Sequence, residues 1–220
     1  MNATPPLVVP ILATPFGVVP LPEADVLNPA LTALFTARKA ADSSPQADPL
    51  CYRSRDDLLE RPEEPVRSLT AAIFRGVYQV VETVNEFSVA QVRELKLEAR
   101  GWFTIVKPDG RVPAASYPLT AWCAIYCVAA PPPSPARADA GALRLYETRL
   151  GTMFQDATNS VMKMPYKPSH CSWRPVPGSM AVFPASLTHE IALFRSIGEL
   201  ILVTVRLRFV GPGQQGMPRW

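Results

Sequence analysis

Pro177–Phe209 reads PGSMAVFPASLTHEIALFRSIGELILVTVRLRF, and this stretch decides how the chain folds. Pro177-Gly178 is a turn pair, because proline presets φ and glycine accepts positive φ without a steric cost. Met180–Phe183 is a short apolar run of strand length. His189 stands six residues past Phe183, in a loop-like interval. Leu200–Val210 is the longest strand signal in the chain, with Thr204, Arg206 and Arg208 at alternate positions and therefore on one face.

Upstream, Trp102–Val106, Ala121–Val128 and Ala142–Tyr146 are further strands, and Val92, Leu95, Leu97 and Ala99 suggest another. They are separated by the Pro108-Asp109-Gly110 turn and the proline-rich loop 131–135. The apolar pieces of residues 7–20, broken by Pro10 and Pro15, read as an edge strand. Two helices precede the strand-rich part. Asn28 is a good N-cap and Pro29 suits the first helical position, so one helix spans about 28–40, with Leu27, Leu31, Leu34 and Phe35 as its apolar face. The other spans about 65–87, with Leu69, Ile73, Val77, Val80 and Val84 on one stripe. Between them, 41–50 is a polar loop, and Asp56 or Asp57 starts a short helix over Leu58 and Leu59. Residues 150–175 carry little periodic pattern; Met162 and Met164 there read as loop cover. Helices followed by short strands predict an α+β fold: one domain over 1–210, with a sandwich or barrel from about 92 and helices packed outside. The tail 211–220 is expected to be mobile.

Composition narrows the function. The chain has 220 residues, 48% of them apolar, which argues against disorder. The formal charge of +3 is small, and basic residues mix with acidic ones, which argues against nucleic acid as a partner. No run of 18 apolar residues indicates a membrane span. The N-terminus lacks the pattern of a signal peptide. A cytoplasmic protein is therefore expected, with Cys51, Cys123, Cys127 and Cys171 reduced. Cys123 and Cys127 lie about 13 Å apart on one strand face, too far for a disulfide, and read as small buried apolar residues. The only histidines are His170 and His189, so no three-histidine metal site can form.

Short strand, histidine and long strand occur in this order in a double-stranded β-helix, the jelly roll of cupins and iron oxygenases. The chain resembles the bacterial and phage family of 2-oxoglutarate/Fe(II)-dependent dioxygenases over nearly its whole length. The carrying pieces are Leu27-Asn28, Tyr52–Leu58, Trp122–Val128, Tyr146–Arg149, and Gly178 through Phe183-Pro184 to His189. The resemblance implies a jelly roll holding Fe(II) by a histidine–carboxylate pair on one strand and a distal histidine later, with an arginine gripping 2-oxoglutarate.

Against that pattern, His189 stands at the distal position. The first pair falls at Ala115 and Tyr117, and the arginine position at Leu200. Alanine has no donor, a phenol has a pKa of about 10, and leucine cannot grip a carboxylate. No His, Asp or Glu occurs between Gly110 and Asp139, so a small register error would not supply one.

The catalytic candidates are therefore His189 and Tyr117, an acid–base pair if they face one interior. Arg111, Arg149 and Trp122 are candidate substrate-binding residues, while Arg206 and Arg208 read as surface charges. No cofactor is expected; Fe(II) and 2-oxoglutarate enter only with relocated ligands, His189 with His170 and either Cys171 or Glu190. The expected activity is non-standard chemistry on a small polar or anionic molecule in the barrel. The alternative is a pseudo-enzyme that binds or regulates, with homodimerisation through the edge near residues 7–20.

Overall fold

Strand alternation in the long C-terminal segment sorts the protein into two layers. The computed structural model describes residues 10, 13–132, 139–146, 162, 166 and 170–211. The elements are β1 (Gly17–Pro20), α1 (Ala24–Ala41), β2 (Cys51–Arg53), a 3-10 turn (Leu58–Glu60), α2 (Glu64–Val84) and α3 (Val89–Glu94), followed by β3 (Lys96–Val106), β4 (Val112–Ala115), β5 (Trp122–Ala129), β6 (Leu143–Tyr146), β7 (His170–Trp173), β8 (Ser179–Pro184), β9 (His189–Ile191) and β10 (Leu200–Val210). They form a six-stranded sheet, β1-β8-β5-β10-β3-β2, and a four-stranded sheet, β4-β9-β6-β7, with antiparallel pairing in both. The fold is α+β, a double-stranded β-helix with the helices outside, as the strand pattern predicts.

On β10, Ile201, Val203, Val205 and Leu207 pack with α1 and α2 against one face of the large sheet. Leu200 and Leu202 turn the other way, into the space between the sheets, with Val106, Cys123, Ile125, Cys127, Phe183, Leu143, Leu145 and Ile191. A period of two thus feeds one strand into two cores. In the helix-side core, Phe35 of α1 stacks on Phe103 of β3 with ring centroids 4.2 Å apart.

Several boundaries differ from the sequence expectation, each for a local reason. α1 begins a turn earlier than Asn28, because Ala24 and Leu27 are buried and Asp25 suits the first turn. Pro29 therefore sits inside the helix, where it has no N–H for the carbonyl of Asp25. Asn28 does not cap; its Oδ1 accepts a 2.6 Å hydrogen bond from Tyr126 Oη of β5. α2 stops at Val84, where the Asn85 side chain donates to the Val81 carbonyl, and Phe87 is left exposed. Residues 89–94 are helix, not strand: Ser88 and Gln91 form a capping box. The strand beyond runs unbroken through Gly101 to Val106, where two were expected. The barrel also draws on β1 and β2, from before residue 92. The 150–175 region, which carries little periodic pattern in the sequence, contains β7. The tail beyond Gly211 lies outside the described residues.

At the Pro177-Gly178 turn the expected glycine is needed twice over. Gly178 has φ +84°, and a Cβ there would come within 2.7 Å of the Ala24 side chain.

Candidate functional site

Two short strands of the small sheet place the histidine. β4 and β9 pair so that Ala115 stands opposite His189, and on its other side β9 pairs with β6, so that Leu145 flanks His189. His189 is only 5% exposed. Its Nδ1–H donates to the carbonyl of Leu187 at 2.9 Å. A carbonyl can only accept, so this bond fixes the tautomer and leaves the Nε2 lone pair as the open function. Burial pushes the His189 pKa below its ordinary value, against a smaller opposing effect of the Leu187 bond, so the ring is neutral at pH 7.

Tyr117 follows β4 directly. Its N–H donates to the Ala185 carbonyl, turning the chain toward β8. The Tyr117 ring meets His189 edge to face, centroids 5.4 Å apart, and Phe183 meets the same imidazole at 5.0 Å. Burial, with the neighbouring Cys123 adding to it, pushes the Tyr117 phenol far above its usual range, so it is a neutral donor. Tyr117 and His189 thus lie in contact in one interior, both neutral.

Four further side chains, not among the candidates from the sequence, complete it. Trp102 of β3 packs edge to face on Tyr117 at 5.7 Å. Arg206 of β10 lies on the register row Arg206–Cys123–Phe183 across the large sheet. Its guanidinium carbon is 5.9 Å from the Tyr117 ring centroid and 6.0 Å from that of Trp102. Arg53 covers the Trp102 ring at 4.3 Å. Asp56 pairs with both arginines, at 3.1 Å to Arg206. The side chain of Arg206 is 16% exposed, so it is an inward-facing group and not the surface charge expected. The available signal was its position on the same alternating face as Leu200 and Leu202.

Other expected site residues lie elsewhere. Trp122 packs with the helix-side core, on the opposite face of the large sheet from Cys123 and Phe183, so it does not share the His189 interior. Arg111 is exposed and precedes β4, about 13 Å along the strand from Ala115, at the end away from Tyr117. Arg208 is half-buried near the end of β10. Arg149 and Met164 lie outside the described residues; Met162 is exposed.

The alternative metal pair does not converge. His170 pairs with Tyr146 on β7, while His189 pairs with Leu145, so the two histidines sit two strands apart, about 10 Å, on opposite faces of the small sheet. Glu190 also faces away from His189, accepting from Tyr146 Oη at 2.6 Å and from Arg144 at 3.4 Å. Cys171 shares the face of His189 but stands two strands from it.

The residues around His189 do not fit an Fe(II) triad. Its cross-strand neighbours are alanine and leucine, and the adjacent phenol is held protonated. Among the described residues, no three His, Cys, Asp or Glu side chains are grouped to hold a metal. Leu200 is 2% exposed in the apolar interior, and its side chain has no group to bind a carboxylate.

The fold is nevertheless that of the iron oxygenases. The chain is similar to a Pseudomonas putida prolyl-4-hydroxylase at 16% identity, over 89% of this chain and 93% of that one, with a TM-score of 0.58. It is similar to HygX from Streptomyces hygroscopicus, solved with nickel, 2-oxoglutarate and hygromycin B, at 13% identity over 94% and 86% of the two chains, TM-score 0.58. A third similar structure is SnoN, a non-heme α-ketoglutarate-dependent epimerase of nogalamycin biosynthesis, at 11% identity over 92% and 86%, TM-score 0.58. At these identities the likeness carries the fold alone. No protein-family model and no curated protein matches the sequence.

Proposed function

We propose that this oxygenase-fold protein has given up the usual iron triad and oxoglutarate arginine and acts by acid–base chemistry on a small polar or anionic molecule. The observation that carries this reading is the pairing of neutral His189, its Nε2 lone pair open, with neutral Tyr117 beside an inward-facing Arg206. His189 Nε2 takes a proton from the substrate, and Tyr117 Oη returns one to the atom on which negative charge develops. Arg206 lies close enough to stabilise that charge, and its pairing with Asp56 holds the guanidinium in place. No redox step and no external oxidant is needed, since one proton leaves and one is returned.

A second reading, a binding or regulatory module, is favoured by a different observation. Tyr117 and Phe183 both rest against the imidazole, and Phe16 stacks on Phe183 at 6.3 Å, so apolar rings fill much of the interior.

One set of measurements separates these readings from an iron oxygenase. The protein is purified without chelator, its metal content is determined, and melting is followed with Fe(II) or Mn(II), with and without 2-oxoglutarate. A ligand that binds only the folded state raises stability as RT ln(1 + [L]/Kd). The acid–base reading expects no 2-oxoglutarate-dependent shift; stoichiometric iron with such a shift overturns both readings. In a screen of carbonyl and carboxylate compounds, turnover lost in Tyr117→Phe and His189→Gln supports the enzyme. Binding that survives both substitutions without turnover supports the module.

A further inference from the structure

Residues 52–57 face two ways. Arg53 and Asp56 join the Trp102–Arg206 group, whereas Tyr52, Ser54, Arg55 and Asp57 line a separate cleft of about 330 Å³ on the helix side. Arg38, Ala41 and Asp42, from the end of α1, form its second wall, and Leu58, Arg61 and Phe103 complete it. Nothing in the acid–base chemistry uses this cleft.

Three guanidinium groups line it against two carboxylates. Both carboxylates are engaged. Asp42 accepts from Ser44 N–H at 2.9 Å, from Ser44 Oγ at 2.5 Å and from Tyr52 Oη at 2.8 Å. Asp57 accepts from Arg61 Nη2 at 2.7 Å. Arg38 is paired with Glu63 behind the wall. One set of donors is left over. The Arg55 side chain makes no hydrogen bond or ion pair among the described residues; its charge acts on Asp42 only through space. A free guanidinium fork on the wall of a cleft offers parallel donors that match two oxygens of one anionic group.

We propose that this cleft is a second binding site, for a small molecule carrying an oxyanion, either a carboxylate or a phosphate. Arg55 grips the anion bidentately.

The test uses the full chain with two probes, inorganic phosphate and citrate, at ionic strength held constant with sodium chloride so that general screening cancels. Melting temperature is recorded against probe concentration for the wild type, Arg55→Gln and Arg206→Gln. Arg55 is exposed, so its substitution leaves the core intact. The expected result is a saturable rise with at least one probe in the wild type, retained in Arg206→Gln and weakened at least tenfold in Arg55→Gln. The probe that binds more tightly distinguishes a phosphate ligand from a carboxylate one. No saturable rise with either probe overturns the proposal. So does an equal rise in Arg55→Gln, or a rise lost in Arg206→Gln but kept in Arg55→Gln.

Discussion

His189 shows how much one side chain depends on what surrounds it. As a residue type it is an acid–base group near neutrality; at 5% exposure, with Nδ1–H committed to Leu187, it is a neutral base with a lowered pKa. The sign of the pH effect follows. An unfolded histidine takes up a proton near pH 6.5, while the buried one stays neutral to lower pH, so the unfolded state binds more protons in between. Stability from this group is present above about pH 6.5 and is lost as pH falls through the lower folded value. Urea midpoints of the wild type and His189→Leu are therefore expected to diverge between pH 7 and pH 5, with the wild type falling faster. Parallel curves would contradict the buried neutral imidazole. The position of His189 past Phe183 was legible in the sequence. Its partners were only half legible: Tyr117 follows from its place before the Trp122–Ala129 strand, whereas Arg53, Asp56 and Trp102 come from segments remote in sequence.

At the scale of elements, the clearest case is α1. Asn28-Pro29 carries the local signature of a helix start, yet the helix begins at Ala24. Burial of Ala24 and Leu27 outweighs one missing backbone bond, a tertiary gain that the cap signal at Asn28-Pro29 does not report. It frees Asn28 for Tyr126, whose hydroxyl is on a fully buried residue and whose pKa burial raises to about 12. Asn28→Ala is expected to cost about 1–3 kcal/mol by leaving that hydroxyl without its acceptor. Adding Tyr126→Phe is expected to recover part of the loss, measured by denaturant unfolding in a double-mutant cycle. Full additivity of the two losses would contradict the bond. The opposite kind of miss occurs at Ser88–Gln91, where a capping box was present in the sequence but the apolar spacing after it resembled a strand. Six residues are too few for periodicity to separate the two.

Over the whole molecule, the alternating strands divide apolar residues between a helix-side core and an intersheet core. Cys123 and Cys127 belong to the second, are fully buried and unpaired, and burial raises the thiol of Cys127 to about 12 and that of Cys123 further. Both thiols are expected to resist a disulfide reagent at pH 8 in the native protein and to react only as fast as the whole fold opens. Rapid labelling at Cys123 or Cys127, mapped by peptide mass, would contradict a closed interior. The long, regular features of this fold were written locally: the C-terminal strand Leu200–Val210, the Pro177-Gly178 turn and the α2 stripe all follow from side-chain period and turn chemistry acting over a few residues. The composition also set which chemistry is scarce, with two histidines and no acidic side chain from Gly110 to Ala138. Only the tertiary structure decided which groups meet. Register places Ala115 and Leu145 beside His189, turns His170 to the other face, and brings Arg206 against Tyr117 and Trp102. A one-residue change of register reverses the face of every side chain on a strand, and that register is set by pairing between distant segments, not by the residues within one.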